Sequence, residues 1–327
     1  MSTIRNKQRL IHLYRYLMEN TDEEHQATTN ELVQFLKKED ANASRKTVKD
    51  DIEILMKEGI DIVTTKSYYN SYFVGSRAFE VPEIKILAEC VASSVSLSYD
   101  QKMKLIDKLL SLLGRHQAEK LKAHVHLSGN HGISNEQLYY SIDQITEAIG
   151  EGRKIEYQYY NYAPNGERVL RDNGEFSVMT PVSVTCSDNR FYVIGYNGAS
   201  HSIVCEKLEC MSRTSAIEEE KDKVPDDVYS EEYLDSLFDM EIGQPADVTL
   251  ECANEMMDVI KDRFGSAGDI WKSTPDSFYV KVRVSVSPAF MGWVFQHSGK
   301  IRITSPLSVY ETYQDQVREV LRRGKRK

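Results

Sequence analysis

The feature that most constrains this chain is a change of hydrophobic period part-way along it. Up to about residue 150, outside one short β-rich stretch over 60–75, the apolar residues recur every three or four positions. From Lys154 to Met211 they crowd into short β-rich runs. No single layer serves both patterns, so the chain must build separate helical and β-rich parts. Residues 4–20 carry Leu10, Leu13 and Leu17 on one helical stripe. Thr28 or Thr29 can cap a second, shorter helix with Leu32, Phe35 and Leu36 turned inward. Ser44 caps a third, whose apolar face is Val48, Ile52, Leu55 and Met56, and Gly59 stops it. Two short β-rich runs follow, Ile60–Thr64 and Tyr72–Gly75, around a polar tip at Lys66 to Ser71. Three helices and a hairpin spell a winged helix-turn-helix.

Residues 80–126 read as helical, with Pro82 near one start and Asp100 capping the next, LIDKLLSLLG ending at Gly114. Ser128 to Ser134 reads as a linker. A helix over Asn135–Gly150 places Leu138, Ile142, Ile145 and Ile149 on one face. Then come KIEYQYYNY, EFSVMTPVSV, RFYVIGYN and HSIVCEKLECM, close-spaced strands that suggest a small barrel or a strongly bent sheet. A charged connector over Glu218–Asp227 leads to an alternation of strands (VTLECA, FYVKVRVSV, KIRIT) with helices at Asn254–Phe264, Ala289–His297 and from about Pro306. That alternation predicts a small α+β sandwich.

The 327 residues suit two or three domains. No apolar stretch approaches the ~20 residues that cross a bilayer, and MSTIRNKQRLIHLYRYL lacks a signal-peptide core, so a soluble, cytoplasmic protein is expected. Five scattered cysteines without a C-x-x-C fit reduced thiols. With 41 basic and 50 acidic side chains, a net charge of −9 argues against indiscriminate coating of nucleic acid. It leaves room for a local basic surface.

The third helix provides one. Arg45 and Lys46 sit in its first turn, where the helix dipole disfavours cations by about 0.3–1 kcal/mol each. A DNA reader needs cations and a small hydroxyl at that end, which makes Arg45, Lys46, Thr47 and Lys49 the candidate contacts. Thr29 at the start of the second helix and Lys66 at the hairpin tip are candidate phosphate contacts. Asp50, Asp51 and Glu53 on the same helix point to the alternative, a plain solvated face. Enzyme motifs are absent: there is no P-loop, G-x-G-x-x-G, G-x-S-x-G or H-E-x-x-H. Neither His124, His126 and His131 nor His201, Cys205 and Cys210 has a recognised metal spacing. Neither catalysis nor a cofactor or metal is expected.

With RFYVIGYN in view, the chain resembles the WYL-domain family of bacterial transcriptional regulators over essentially its whole length. The name-giving tripeptide falls on Phe191-Tyr192-Val193, after a strand ending in the family-like proline Pro181, and IVCEKLECM resembles the family's arginine-bearing strand. NTDEEHQATTNELVQFLKKE, ASRKTVKDDIEILMKEGIDI and SRAFEVPEIKIL are similar to its winged-helix and helical-linker segments, and FMGWVFQHSGKIRITSP to its C-terminal extension. The resemblance implies a multidomain α+β chain: a winged helix-turn-helix over 1–79, a helical linker over 80–134, an SH3- or Sm-like WYL barrel over 135–217, a connector over 218–244 and an α+β extension over 245–327. It also implies a homodimer that binds an operator and senses a ligand, frequently nucleic acid or a nucleotide.

The sequence departs from the family where ligands are usually gripped. Lys207 stands at the first usual arginine, Cys210 at the second and Cys205 at a common histidine position. Lysine keeps the charge without the planar fork, and cysteine keeps neither, so a polyanion should bind more weakly. Tyr157, Tyr159, Arg190, Tyr192 and Lys207 remain as the candidate ligand set, aromatics interleaved with cations as single-stranded nucleic acid requires. Alternate tyrosines are also what one face of a small core looks like. The competing functional expectation is an interaction or sensor module that does not read an operator.

Overall fold

In the computed structural model the first apolar stripe forms α1 (Ser2–Asn20), with Leu13 and Leu17 fully buried. The structure describes residues 2–66, 70–127, 137–229, 231–265, 268–272 and 274–324. It divides into two compact units, Met1–Ser134 and Asn135–Lys327, which group the five expected segments.

In the first unit, a two-residue strand β1 (Ala27–Thr28) precedes α2 (Thr29–Lys38) and α3 (Arg45–Lys57). Thr28, and not Thr29, caps α2, in a reciprocal box with Glu31. Ser44 caps α3 by accepting from the Thr47 N–H, and Gly59, at φ +93°, lets the chain turn away. The hairpin is β2 (Ile62–Thr65) and β3 (Ser71–Val74), and β1 pairs with β3 to make a three-stranded antiparallel sheet. Leu13, Leu17, Leu32, Leu36, Val48, Ile52 and Tyr72 share one core. Met56, expected inward, is about half exposed, because it lies about 80° round the helix from Val48.

Three further helices complete this unit: α4 (Val81–Ser93), α5 (Tyr99–Leu110) and α6 (Arg115–Lys122). Ser98, not Asp100, caps α5, and Gly114 is the N-cap of α6. Ile84, Ala88, Ile106, Leu110 and Leu121 pack together between them. The expected linker Ser128 to Ser134 lies outside the described residues.

The second unit starts with α7 (Leu138–Glu151), which buries Leu138, Ile145 and Ala148 and leaves Ile149 exposed. Six strands follow: β4 (Arg153–Tyr162), β5 (Arg168–Leu170), β6 (Ser177–Ser187), β7 (Arg190–Asn197), β8 (Ser202–Lys207) and β9 (Met211–Glu220). The sheet order is β5-β4-β6-β7-β8, with β9 returning to pair with β4. The sheet curls into a half-barrel, and among the described residues no ladder joins β8 to β9. Pro181 sits at a bulge in β6 opposite Gly195, where an added Cβ would stand 2.3 Å from the Met179 sulfur. The expected connector from residue 218 is strand as far as Glu220. Beyond it, Val224, Val228, Leu237 and Met240, around α8 (Glu231–Ser236), pack on Val182, Tyr192 and Ile194 of the half-barrel.

The remainder is β10 (Gln244–Ala253), α9 (Met257–Phe264), β11 (Asp269–Lys272), β12 (Ser277–Val286), α10 (Pro288–Gln296), β13 (Ile301–Ser305) and α11 (Leu307–Gly324). Its antiparallel sheet, in the order β11-β12-β10-β13, shares a core with Ile260 of α9, Phe290 and Val294 of α10 and Val309 of α11. The whole is a mixed α+β chain with several sheets.

Candidate nucleic-acid interface and half-barrel site

Helix α3 sorts its charges by face. Val48, Ile52 and Leu55 are buried, whereas Arg45, Lys46 and Lys49 are exposed and form no ion pair among the described residues. Thr47 is half-buried, and its hydroxyl lies 2.8 Å from Ser44 Oγ. Asp51, which the sequence placed with the solvated acids, points inward. Arg9 of α1 donates to it from Nε and Nη2 at 2.6 and 3.0 Å, a bidentate pair that pins α3 against α1. That hydrogen bond, against the cost of burial, raises the Arg9 pKa. Asp50 and Glu53 stay exposed.

Lys66 is exposed. Thr29 is a correction: it is 7% exposed, and its hydroxyl donates to the Asn70 carbonyl at 3.3 Å. Its side chain is spent on holding α2 to the hairpin, not offered to a phosphate.

The half-barrel treats charge differently. Glu206 of β8 and Glu209 in the 3-10 turn after it are both buried. Arg171 Nη2 donates to Glu206 Oε1 at 2.7 Å, and the Tyr157 hydroxyl donates to the same oxygen at 3.3 Å. The Arg171 guanidinium lies over the Tyr159 ring, 4.5 Å from its centroid. Burial opposes the Arg171 charge, but Glu206 outweighs it and leaves the pKa raised. Arg190 pairs with Glu209, whose backbone carbonyl accepts from the Tyr160 hydroxyl. Arg168 lies 4.6 Å from the Tyr160 centroid. Burial pushes the Tyr157 and Tyr159 phenols well above their ordinary values and that of Tyr160 up to about 12.

Two members of the expected ligand set are therefore core. Tyr157 is 1% exposed and Tyr192 is 7% exposed, packed on Leu237 and Met240, so neither ring has a free face for a base. Burial lifts the Tyr192 phenol to about 12. Tyr159 is half-buried, Arg190 half-exposed and Lys207 exposed. Cys210 is buried beneath Tyr159, and burial lifts the Cys205 thiol to about 12. Sequence reasoning missed Arg171, Glu206 and Glu209. Carboxylates embedded in the apolar run IVCEKLEC were the available signal, because a charge in such a strand is buried with a partner. Among the described residues no group of three His, Cys, Asp or Glu is placed to hold a metal, and no helix is long and apolar enough to cross a membrane. His131 lies outside the described residues.

No family model matches the chain, and no curated protein matches it. Among solved structures, it is similar to proteasome accessory factor B/C (PafBC) of Arthrobacter aurescens, at 16% identity and a TM-score of 0.28. That alignment covers 94% of this chain and 47% of PafBC, so the chain spans about half of PafBC's length. It is also similar to a CRISPR Cas-related protein, at 12% identity and a TM-score of 0.35, over 99% of this chain and 85% of the other.

Proposed function

We propose that the chain is a DNA-binding transcription regulator of the WYL type, without enzymatic activity. In this reading residues 1–79 act as a winged helix-turn-helix and α3 reads the major groove of duplex DNA as part of a homodimer. The supporting observation is the sorting of α3: Arg45, Lys46 and Lys49 face solvent without carboxylate partners among the described residues, while Asp51 is withdrawn onto Arg9. Phosphates and guanine edges are the groups that such a face complements. The half-barrel would sense a nucleotide or single-stranded nucleic acid through Tyr159, Arg190 and Lys207, joined by Arg171. An anion there competes with Glu206 and Glu209 for both arginines, so binding should be weak.

The test is fluorescence anisotropy on the protein's own upstream duplex against a scrambled one, at ~150 mM salt, where specific factors prefer their site by ~10³-fold or more. Arg45→Ala and Lys46→Ala should each weaken binding and flatten the dependence of log K on log salt by about 0.9 per lost phosphate contact. Unchanged affinity and slope in both variants would remove α3 from the interface. The exposed Asp50 and Glu53 favour a second reading, a sensor module without operator specificity. Equal affinity for the two duplexes would select it.

A further inference from the structure

The unit Met1–Ser134 holds a cavity of about 580 Å³ whose lining includes no residue of α2 or α3. Its walls come from the turn after α1, the segment after β3, and helices α4 and α6. That volume is in the range that takes small molecules.

The turn is fixed from within. Asp22 is buried, and its Oδ1 accepts from the backbone N–H groups of Glu24 and His25 at 3.0 and 2.8 Å and meets His25 Nδ1 at 2.8 Å. Burial would raise the Asp22 pKa, but these hydrogen bonds outweigh it and hold the carboxyl below its ordinary value. The His25 ring lies flat on His116 of α6, with centroids 3.7 Å apart and planes 14° from parallel. The stacked imidazoles thus join two walls of the cavity.

Arg77, half-buried, is one cation of the lining, and the charges of Asp22 and Glu80 act on it. Its Nη2 donates to the carbonyls of Met18 and Thr21 at the end of α1, at 3.1 and 2.6 Å, its Nη1 donates to the Val74 carbonyl at 3.5 Å, and its Nε–H is buried without an acceptor. Among the described residues it has no ion-pair partner. Gly114 approaches so closely that an added Cβ would stand 3.1 Å from Nη2. Two lysines add to the Arg77 charge: Lys85 of α4, which pairs with Glu89 and donates to the His124 carbonyl, and Lys120 of α6, exposed and without an ion pair among the described residues. Opposed to these are the exposed carboxylates of Glu23, Glu24 and Glu80. Phe79, 38% exposed, supplies apolar surface, and Leu113 and Leu121 back the wall from within the core.

Complementarity then discriminates between ligand classes. A polyanion meets three exposed carboxylates, and a simple cation meets Arg77, Lys85 and Lys120. A molecule that carries one carboxylate and one ammonium on an apolar body satisfies both signs. We propose that this cavity binds a zwitterion with an apolar side chain, between a free amino acid and a dipeptide in size. Its carboxylate lies toward Arg77 and Lys120, its ammonium toward the glutamates and its side chain on Phe79. The site is independent of DNA reading, and its occupancy would tie the turn after α1 to α6.

The experiment is thermal unfolding and calorimetric titration of the full chain with leucine, phenylalanine and leucyl-phenylalanine, each beside its N-acetylated and C-amidated derivative. At about 1 mM, at least one zwitterion should raise Tm by about 2 °C or more. Both derivatives should bind it at least tenfold more weakly. Lys120→Glu, at an exposed position, should lose at least tenfold in affinity with the circular dichroism spectrum unchanged, and His116→Ala is the second variant. Three outcomes overturn the proposal: no binding by any zwitterion, equal binding by an acetylated or amidated derivative, or full affinity in both variants. None of them bears on the duplex-binding test, which reads α3.

Discussion

Arg45, Lys46 and Lys49 stand in solvent on α3 with no carboxylate partner among the described residues, whereas Arg171 and Arg190 in the half-barrel each lie against a buried glutamate. The residue chemistry is alike in the two places, and the consequences are not. An exposed cation keeps its hydration, contributes little to stability and is available to a phosphate. A buried pair has already exchanged water for one fixed partner, so removing that partner strands a charge. Cations on the helix are therefore available for recognition, and cations in the half-barrel first serve the fold.

The largest expected effect tests the half-barrel side. Glu209→Ala should destabilise the protein by about 3 kcal/mol, because Arg190 is left partly buried without its counter-charge. Arg190→Met combined with Glu209→Leu should recover most of that loss in urea unfolding. A double variant as unstable as the single one would show that the pair is not the source of the cost.

Within α3 the same contrast applies between neighbouring acids. Asp51→Ala should cost about 2 kcal/mol by stranding Arg9, and Asp50→Ala should stay within about 0.5 kcal/mol. Equal costs would mean that the two faces are not energetically distinct.

A smaller effect comes from a buried lysine of the first unit that has no acid against it among the described residues. Lys102 is 1% exposed, and its Nζ donates to the Ala92 carbonyl, at 3.0 Å. Burial lowers its pKa below the ordinary 10.5. Between that lowered value and 10.5 the unfolded chain binds more protons than the folded one, so stability rises with pH through this window. Lys102→Met should gain about 1 kcal/mol at pH 7, with the advantage shrinking as pH approaches 10.5, in thermal unfolding across pH. An advantage that does not change with pH would assign the gain to packing instead of charge.

Much of the element order was legible because its signals are local. The Leu13/Leu17 and Leu32/Leu36 stripes, the Ser44 cap and the stop at Gly59 each depend on residues within a few positions of one another. So does the outward placement of Arg45, Lys46 and Lys49, which follows from the period of the buried stripe. Boundaries that depend on a distant partner were missed: β1 exists because Ala27 and Thr28 pair with Tyr72 and Ser71, and β9 because it returns to β4.

The site residues divide along the same line. That Glu206 and Glu209 are carboxylates in an apolar run is visible in one dimension, but Arg171 and Arg190 become their partners only when the sheet curls. Asp51 reads as one of three solvated acids until α1 brings Arg9 against it, and Thr29 reads as a surface hydroxyl until the hairpin covers it. The stacking of His25 on His116 joins residues far apart in the chain, and no periodicity encodes it. Sequence by itself determined which residues are apolar, charged or turn-forming and in what local period. Only the tertiary structure decided which charges meet, because pairing is set by through-space distance and shared burial, and neither is a property of a local window.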